Sequence, residues 1–358
     1  MFTLTDRPYE TMWSHFRLLS HESNAHRLLQ GHLSGGRTFC PFPVIDLEKK
    51  ARQLAYCIVQ AFEYYKAADA VAIDTSPLLY FYGMLSLSKA LIVANEPETL
   101  LDHIKYHGLK ASRSVSSPRI EDRGAKTDEG VFAHLIKVIQ GFTYPKGATF
   151  ALRDVLSISP ELCDIYERLF KAPSRCLLRH FWRPLSNDPY RVELCVVAPS
   201  AQYISERIPE LTRDFDLRPT AQSGQAAWFQ WFKSRSSVRQ PPTGFWLYNP
   251  VAGGEYLVGA LPYSLNGNSG QRYLYPPLSD YIGMFILSDC VRYKQDLWRA
   301  VVQGRETGVL GLIELFIDIS RRRFPNLILD QLFKEPFEYW PKRRTEPASL
   351  ETTHWPTS

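Results

Sequence analysis

Residues 76–94 read SPLLYFYGMLSLSKALIVA, and this stretch decides the fold. Ser76 followed by Pro77 is a helix-start signal because proline suits the first helical turn, and Asn95 with Pro97 marks the end. Apolar side chains point in nearly every direction between these limits. A helix without a polar face is predicted to be buried on several sides, so other elements must surround it.

Four further segments have helical periodicity. Residues 278–303 are strongly apolar, and residues 46–68 carry one apolar stripe behind Asp46, a natural N-cap. Residues 9–33 and 309–322 complete the set, and Pro325 is expected to break the last helix. Because both ends of the chain hold helices too apolar to stand alone, we expect them to form one core.

The middle of the chain changes to strand periodicity. Residues 190–262 contain alternating and aromatic-rich runs, with turn signals at Gly253-Gly254 and at Asn266-Gly267. The polar residues 111–130 are predicted to be a loop. The sequence therefore predicts an α+β fold, mostly helical, in which N- and C-terminal helices form one core with a middle antiparallel sheet.

The same pattern predicts the domain organisation. Residues 1–345 are expected to form a single intertwined domain, because the helical parts, 9–110 and 276–335, lie on either side of the β-rich insert or lobe, 190–262. Residues 346–358 are rich in Pro, Ser, Thr and Glu and are predicted to be a disordered tail.

Composition excludes several classes of protein. The 358 residues are 45% hydrophobic and 22% charged, which is typical of a folded globular chain. The net charge of +5 permits an acidic partner but does not require one. We expect no signal peptide, no transmembrane helix and no membrane contact, and hence a cytoplasmic protein.

Neither a metal nor a cofactor is expected. The six cysteines are widely spaced without a C-x-x-C pair, which favours reduced thiols over disulfides or a zinc site. His103 and His107 would share a helix face, but Gly108 indicates that the helix ends there, and no third ligand follows at a suitable spacing. The common phosphate-loop, dinucleotide, hydrolase and metalloprotease signatures are absent from the sequence.

Three segments together resemble the bacterial YaaC-like family. They are residues 76–94 followed by His107-Gly108-Leu109, residues 281–298 (YIGMFILSDCVRYKQDLW), and residues 320–326 (SRRRFPN). Residues 128–130 running into Val131-Phe132 fit the same pattern, and the resemblance covers about residues 10 to 335. It implies a bacterial cytoplasmic protein of no established reaction. The family favours His-Tyr where this chain has Asp280-Tyr281.

The resemblance marks a set of candidate ligand-binding residues, several of them cationic. They are Lys89, His107, Arg292, Tyr293, Arg321, Arg322 and Arg323. Lys89 is a charge in an apolar helix, where its tip must reach water, a partner or an anion. Asp289 and Arg292 have the spacing of an ion pair. The run of three arginines ends a helix, and guanidinium groups match phosphate oxygens.

Two classes of function stay open. The first is a binding or adaptor protein that recognises a nucleic acid, a nucleotide or a protein partner through the basic residues. The second is a phosphodiester hydrolase similar to HEPN-type ribonucleases, which use an R-x4-6-H pair, with Arg175 and His180 as the weak candidates. The pairs Arg27/His32 and Arg175/His180 both fit, but about two matches are expected by chance. The first class is therefore preferred.

Overall fold

The fold comes from a computed structural model, which describes residues 2–34, 46–112, 119–185, 188–209, 211, 218–223, 226–230, 245–248, 255–305 and 308–340. The α-helices in these ranges are, in chain order, α1 (Pro8–Leu19), α2 (Glu22–Ser34), α3 (Leu47–Ala70), α4 (Ser76–Asn95), α5 (Val131–Gln140), α6 (Leu152–Ser157), α7 (Cys163–Phe170), α8 (Ala201–Arg207), α9 (Pro276–Tyr293), α10 (Gln295–Val302) and α11 (Val309–Phe333).

The described strands form three sheets. Their bounds are β1 (Phe2–Leu4), β2 (His107–Ala111), β3 (Gly124–Gly130), β4 (Thr149–Ala151), β5 (Cys176–Leu185), β6 (Asp188–Ala198), β7 (Arg218–Ser223), β8 (Ala226–Gln230), β9 (Phe245–Tyr248), β10 (Glu255–Gly259), β11 (Leu261–Leu265), β12 (Asn268–Arg272) and β13 (Glu338–Trp340).

Two of the sheets are antiparallel and the third is a parallel pair. The six-stranded sheet has the order β7-β8-β6-β5-β10-β9, and the five-stranded sheet has the order β12-β11-β4-β3-β2. The parallel pair joins β1 to β13, with Phe2 opposite Glu338 and Leu4 opposite Trp340. The prediction of an α+β, mostly helical fold with a middle antiparallel sheet is confirmed.

Helix α4 lies at the centre of the core, as its uniformly apolar sequence predicts. It packs against α3, α5, α9 and α11, so elements from both ends of the chain surround it. Fourteen of its residues are buried. Two buried serines donate their hydroxyls to the carbonyls four residues earlier, Ser86 to Tyr82 and Ser88 to Met84, which satisfies their hydrogen bonding inside the helix.

The same helix passes a simple test for membrane span. Among the described helices, Ser76–Asn95 alone is long and apolar enough, with a mean hydropathy of 1.4. Of that stretch, 72% is buried inside the protein. A core helix passes this test as readily as a membrane helix does, and the burial of α4 is that of a core helix.

Two predicted helices are each divided in the structure. Residues 9–33 form α1 and α2, because Ser20 closes the first helix: its backbone N–H and its hydroxyl both donate to the carbonyl of Arg17. Residues 278–303 form α9 and α10, separated at Lys294, whose φ of −131° and ψ of 50° lie outside the helical region. The predictions of single helices there were wrong.

Proline 325 does not break the last helix, contrary to the prediction. Helix α11 continues through it to Phe333. The residue lacks a backbone N–H, which costs about 3 kcal/mol in a helix interior. Phe324, Leu327 and Ile328 on either side of Pro325 are all buried. Burial of the following turns therefore outweighs the lost hydrogen bond.

The five-stranded sheet was not predicted from the sequence. Strand β3 lies within residues 111–130, which were predicted to be a loop, so that prediction was wrong for Gly124–Gly130. In β3, Ala125 and Thr127 point inward and are too small or polar to signal a strand. The six-stranded sheet also begins earlier than predicted, at Cys176.

One of the two predicted turns is confirmed, and the other lies outside the described residues. Asn266 and Gly267 both have positive φ, 52° and 83°, and join β11 to β12 in a tight hairpin, as predicted. Strands β9 and β10 pair as the proposed hairpin requires, but Gly253-Gly254 lie outside the described residues. The predicted tail, 346–358, also lies outside them.

The central helix tolerates no added carbon at Gly83. A Cβ there would lie 2.6 Å from Cε2 of Tyr65, a ring that is fully buried, whereas a Cβ on Gly311 of α11 would meet nothing within 4 Å. We expect Gly83→Ala to lower the free energy of unfolding by about 1–3 kcal/mol through overpacking. Gly311→Ala is the matched control and is expected to raise it by about 0.5–1 kcal/mol. Urea denaturation measures both, and an equal effect of the two substitutions would contradict this packing.

Candidate functional site

Three of the predicted ligand-binding residues meet at one edge of the core. Lys89 comes from α4, His107 begins β2, and Arg292 lies in the last turn of α9. All three side chains are half-buried, and the charges of Lys89 and Arg292 both act on His107. Together with Tyr82 they are called the basic cluster below.

Local backbone geometry places His107 in this cluster. The hydroxyl of Tyr281, on α9, donates to the carbonyl of His107 at 3.0 Å. Gly108 follows with a φ of 81°, and a Cβ at this position would lie 2.8 Å from Cβ of Phe132. Only glycine fits such a conformation and such a close approach. The conformation and close packing of Gly108 therefore explain the glycine of the His-Gly-Leu motif.

Tyr82 joins the helices that carry the two cations. Its hydroxyl lies 3.5 Å from Nη1 of Arg292, and Nε of Arg292 donates to the carbonyl of Ser288 at 3.2 Å. The Tyr82 ring stacks on Tyr64 of α3, with centroids 5.6 Å apart, and meets the His107 ring edge-on at 6.3 Å. The Arg292 guanidinium is thus oriented by neutral groups.

The charge of Lys89 is not accounted for by an interaction with the C-terminus of α4. The carbonyl of Val93 in the last turn of α4 accepts instead from Nζ of Lys50 at 3.1 Å, and the carbonyl of Glu96, just after the helix, accepts from the same atom at 2.5 Å. Within the described ranges no carboxylate forms a salt bridge with Lys89 or with Arg292.

The histidine of the cluster is biased toward its neutral form. Burial lowers the pKa of His107, and the positive charges of Arg292 and Lys89 lower the pKa further. A neutral imidazole has one N–H donor and one acceptor nitrogen, so it contributes hydrogen bonds without adding a third positive charge.

Asp289 does not form the ion pair expected with Arg292. No salt bridge joins the two side chains in the described structure, although the charge of Arg292 acts on the carboxyl. Burial raises the pKa of Asp289, and the charges of Arg292, Lys294 and Arg123 oppose that rise. Asp289 is therefore a nearby counter-charge that leaves the Arg292 guanidinium unbridged.

The three consecutive arginines lie apart from the basic cluster and bind carboxylates. Arg321 donates to Asp318 at 2.9 Å and to Asp69 at 3.0 Å. Arg322 donates to Asp318 at 2.8 Å. Their charges are thus largely neutralised within the protein.

Arg323 is a structural member of the core. Its side chain, 5% exposed, donates to both carboxylate oxygens of the fully buried Asp280 and to Glu161 at 2.8 Å. It also donates to the Ser159 hydroxyl at 3.1 Å. Asp280 is the residue that departs from the family pattern, and here it joins α9 to α11.

The weak catalytic candidates lie elsewhere. Arg175 precedes β5 and donates to Gln271 of β12 at 3.3 Å, while the side chain of His180 lies outside the described part of the chain. In the other matching pair, His32 contacts the carbonyl of Leu332 at 2.8 Å, a core contact. Across the described ranges, no group of three or more metal-binding side chains is found.

Tyr293 and two missed cations adjoin the cluster. Tyr293 is 67% exposed, and its ring centroid lies 5.0 Å from the Arg292 guanidinium. Arg123 and Lys294 line a cleft with these two residues. The sequence predicted a loop at Arg123 and a helix interior at Lys294. Tyr82 had a readable signal, because it lies seven residues before Lys89 on the same helix face.

The fold and the cluster define an α+β protein with a helical core and, at its edge, two cations that no described carboxylate bridges. A family model described as YaaC-like Protein matches residues 22–332, and the chain therefore belongs to the YaaC-like family. Neither a curated protein nor a solved structure matches it.

The electrostatic environment of His107 can be tested by titration. We expect NMR to give His107 a pKa below the ordinary value of about 6.5. Lys89→Ala and Arg292→Ala should each raise that pKa, since each removes a positive charge that disfavours the imidazolium. Arg322→Ala, which changes a charge already paired with Asp318, is the control and should leave it unchanged. An unaltered His107 pKa in both cluster variants would show that the three residues do not interact.

The neighbouring arginines 322 and 323 give a matched test of burial. Arg323→Ala leaves Asp280 buried without its counter-charge, and we expect a loss of about 3–5 kcal/mol in the free energy of unfolding. Arg322→Ala breaks a largely exposed pair and should cost less than about 1 kcal/mol. Chemical denaturation measures both values. Similar losses in the two variants would contradict the structural role of Arg323.

Proposed function

We propose that this protein is a binding protein whose basic cluster takes the phosphate of an anionic ligand, of the nucleotide or nucleic acid class. The observation that carries the proposal is the contact of Arg292 with Tyr82, whose ring meets His107, while the charge of Lys89 acts on the same histidine and neither cation is bridged to a carboxylate within the described ranges. Family membership alone names no ligand and no reaction, so the proposal depends on this geometry.

The chemistry of the cluster suits a phosphate group. Lys89 and Arg292 are half-buried and form no salt bridge to a carboxylate within the described ranges, and a bound anion would replace the hydration that such a cation loses. The Arg292 guanidinium offers a planar fork for two phosphate oxygens, and the Lys89 ammonium offers a point charge. His107 and Tyr82 add neutral hydrogen-bonding groups beside them.

The arginine run supports this proposal less well than the sequence suggested. Arg321, Arg322 and Arg323 each bind carboxylates, so an incoming phosphate would have to displace an existing ion pair. Among the described residues, no ion pair at Lys89 or Arg292 would have to be displaced in this way.

The hydrolase alternative stays a prediction, and no observation favours it. Arg175 is held by an amide side chain in the five-stranded sheet, away from the basic cluster. A protein partner with acidic side chains is the remaining alternative for the cluster, and the following measurement with a small phosphate probe separates the two.

Calorimetric titration with inorganic pyrophosphate at low ionic strength tests the proposal. The wild type is expected to bind, and Lys89→Ala and Arg292→Ala are each expected to weaken binding by about tenfold to 150-fold, since a charge-assisted hydrogen bond contributes about 1.5–3 kcal/mol. Arg322→Ala is the matched control and should bind as the wild type does. No binding by the wild type, or equal binding by the Arg292→Ala protein, would remove the proposed function.

A further inference from the structure

A cleft adjoins the basic cluster where α9 turns into α10. Its volume is about 420 Å³, within the range of small-molecule sites. Its lining residues are Arg123, Arg292, Tyr293, Lys294, Gln295, Asp296 and Leu297. Arg292 is common to the cleft and the cluster, so a ligand bound through its guanidinium has access to both.

The charges of the cleft favour an anion. Arg123, Arg292 and Lys294 line it, against the single lining carboxylate of Asp296. The charges of all three cations also act on Asp289, beside the cleft. Among the described residues that line or adjoin the cleft, these three cations stand beside two carboxylates, Asp296 and Asp289, and this balance favours an anion.

Tyr293 gives the cleft an aromatic surface beside its cations. Two-thirds of the side chain is exposed although a tyrosine ring gains free energy when it is covered. The Arg292 guanidinium lies 5.0 Å from the ring centroid, which fixes the ring next to the phosphate-binding group. Gln295 follows in the lining and supplies both a donor and an acceptor.

We infer that the cleft binds a nucleoside phosphate, with the base stacked on Tyr293 and the phosphate at Arg292. This inference rests on the proposed function for the phosphate and adds the base. An exposed aromatic ring beside cations is the combination that recognises single nucleotides and single-stranded nucleic acid. The shared chemistry is one nucleotide unit, either free or part of an RNA strand.

Replacement of the ring separates base recognition from phosphate recognition. We expect Tyr293→Ala to weaken ADP binding about fivefold to a hundredfold, because stacking contributes about 1–3 kcal/mol per base. Pyrophosphate binding should be unchanged, since it has no base. Tyr293→Trp should retain ADP binding, and Tyr56→Ala, which removes an exposed tyrosine outside the cleft lining, should behave as the wild type.

The outcomes distinguish this inference from the proposed function. Pyrophosphate binding with no effect of Tyr293→Ala on ADP would overturn the base site and leave the proposed function intact. Equal weakening of ADP binding and pyrophosphate binding would show that the Tyr293 ring only supports Arg292. That result would also overturn the base site. If the wild type binds neither probe, both proposals fail.

A second titration identifies the source of the nucleotide. A fluorescent single-stranded RNA of ten nucleotides is compared with ADP over a range of salt concentrations. Tighter RNA binding that weakens steeply with salt indicates a strand, because several phosphates are then neutralised. Binding of ADP alone indicates a free nucleotide. Either result supports a nucleotide site, provided that Tyr293→Ala weakens the binding that is observed.

Discussion

The absence of a polar face on α4 is the constraint on which the rest of the structure depends. A helix of this composition is stable in water only when other elements cover it on all sides, because each Å² of exposed apolar surface costs about 25 cal/mol. Helices α3 and α5 cover it from the first half of the chain and α9 and α11 from the last third. The two ends of the chain therefore share one core, and the sheets are placed around it.

Burial also determines which polar side chains of α4 can take part in a binding site. Ser86 and Ser88 satisfy their hydroxyls within the helix, and Lys50 from α3 binds its last carbonyls. Within the described residues Lys89 forms no such bond, and it is half-buried, with its charge acting on His107. The cluster thus forms at the one side of α4 where a cation was retained despite the cost of desolvation.

Much of the helical architecture could be predicted because apolar periodicity depends on local sequence. The breaks at Ser20 and Lys294, and the continuation through Pro325, could not, since they depend on turn geometry and on packing from distant residues. The strands β2 and β3 are short and polar, so their burial on one side leaves little pattern. For the site, the resemblance marked Lys89, His107 and Arg292, but only tertiary structure shows that the equally marked arginines 321–323 have partners.

The parallel pairing of β1 with β13 has a consequence for biosynthesis. Translation delivers residues 2–4 more than three hundred residues before residues 338–340, so β1 emerges from the ribosome long before its partner exists. Helix α4 likewise emerges before α9 and α11 can cover it. The faces of α4 that α9 and α11 cover therefore stay exposed on the nascent chain until those helices emerge, which is the condition under which chaperones bind.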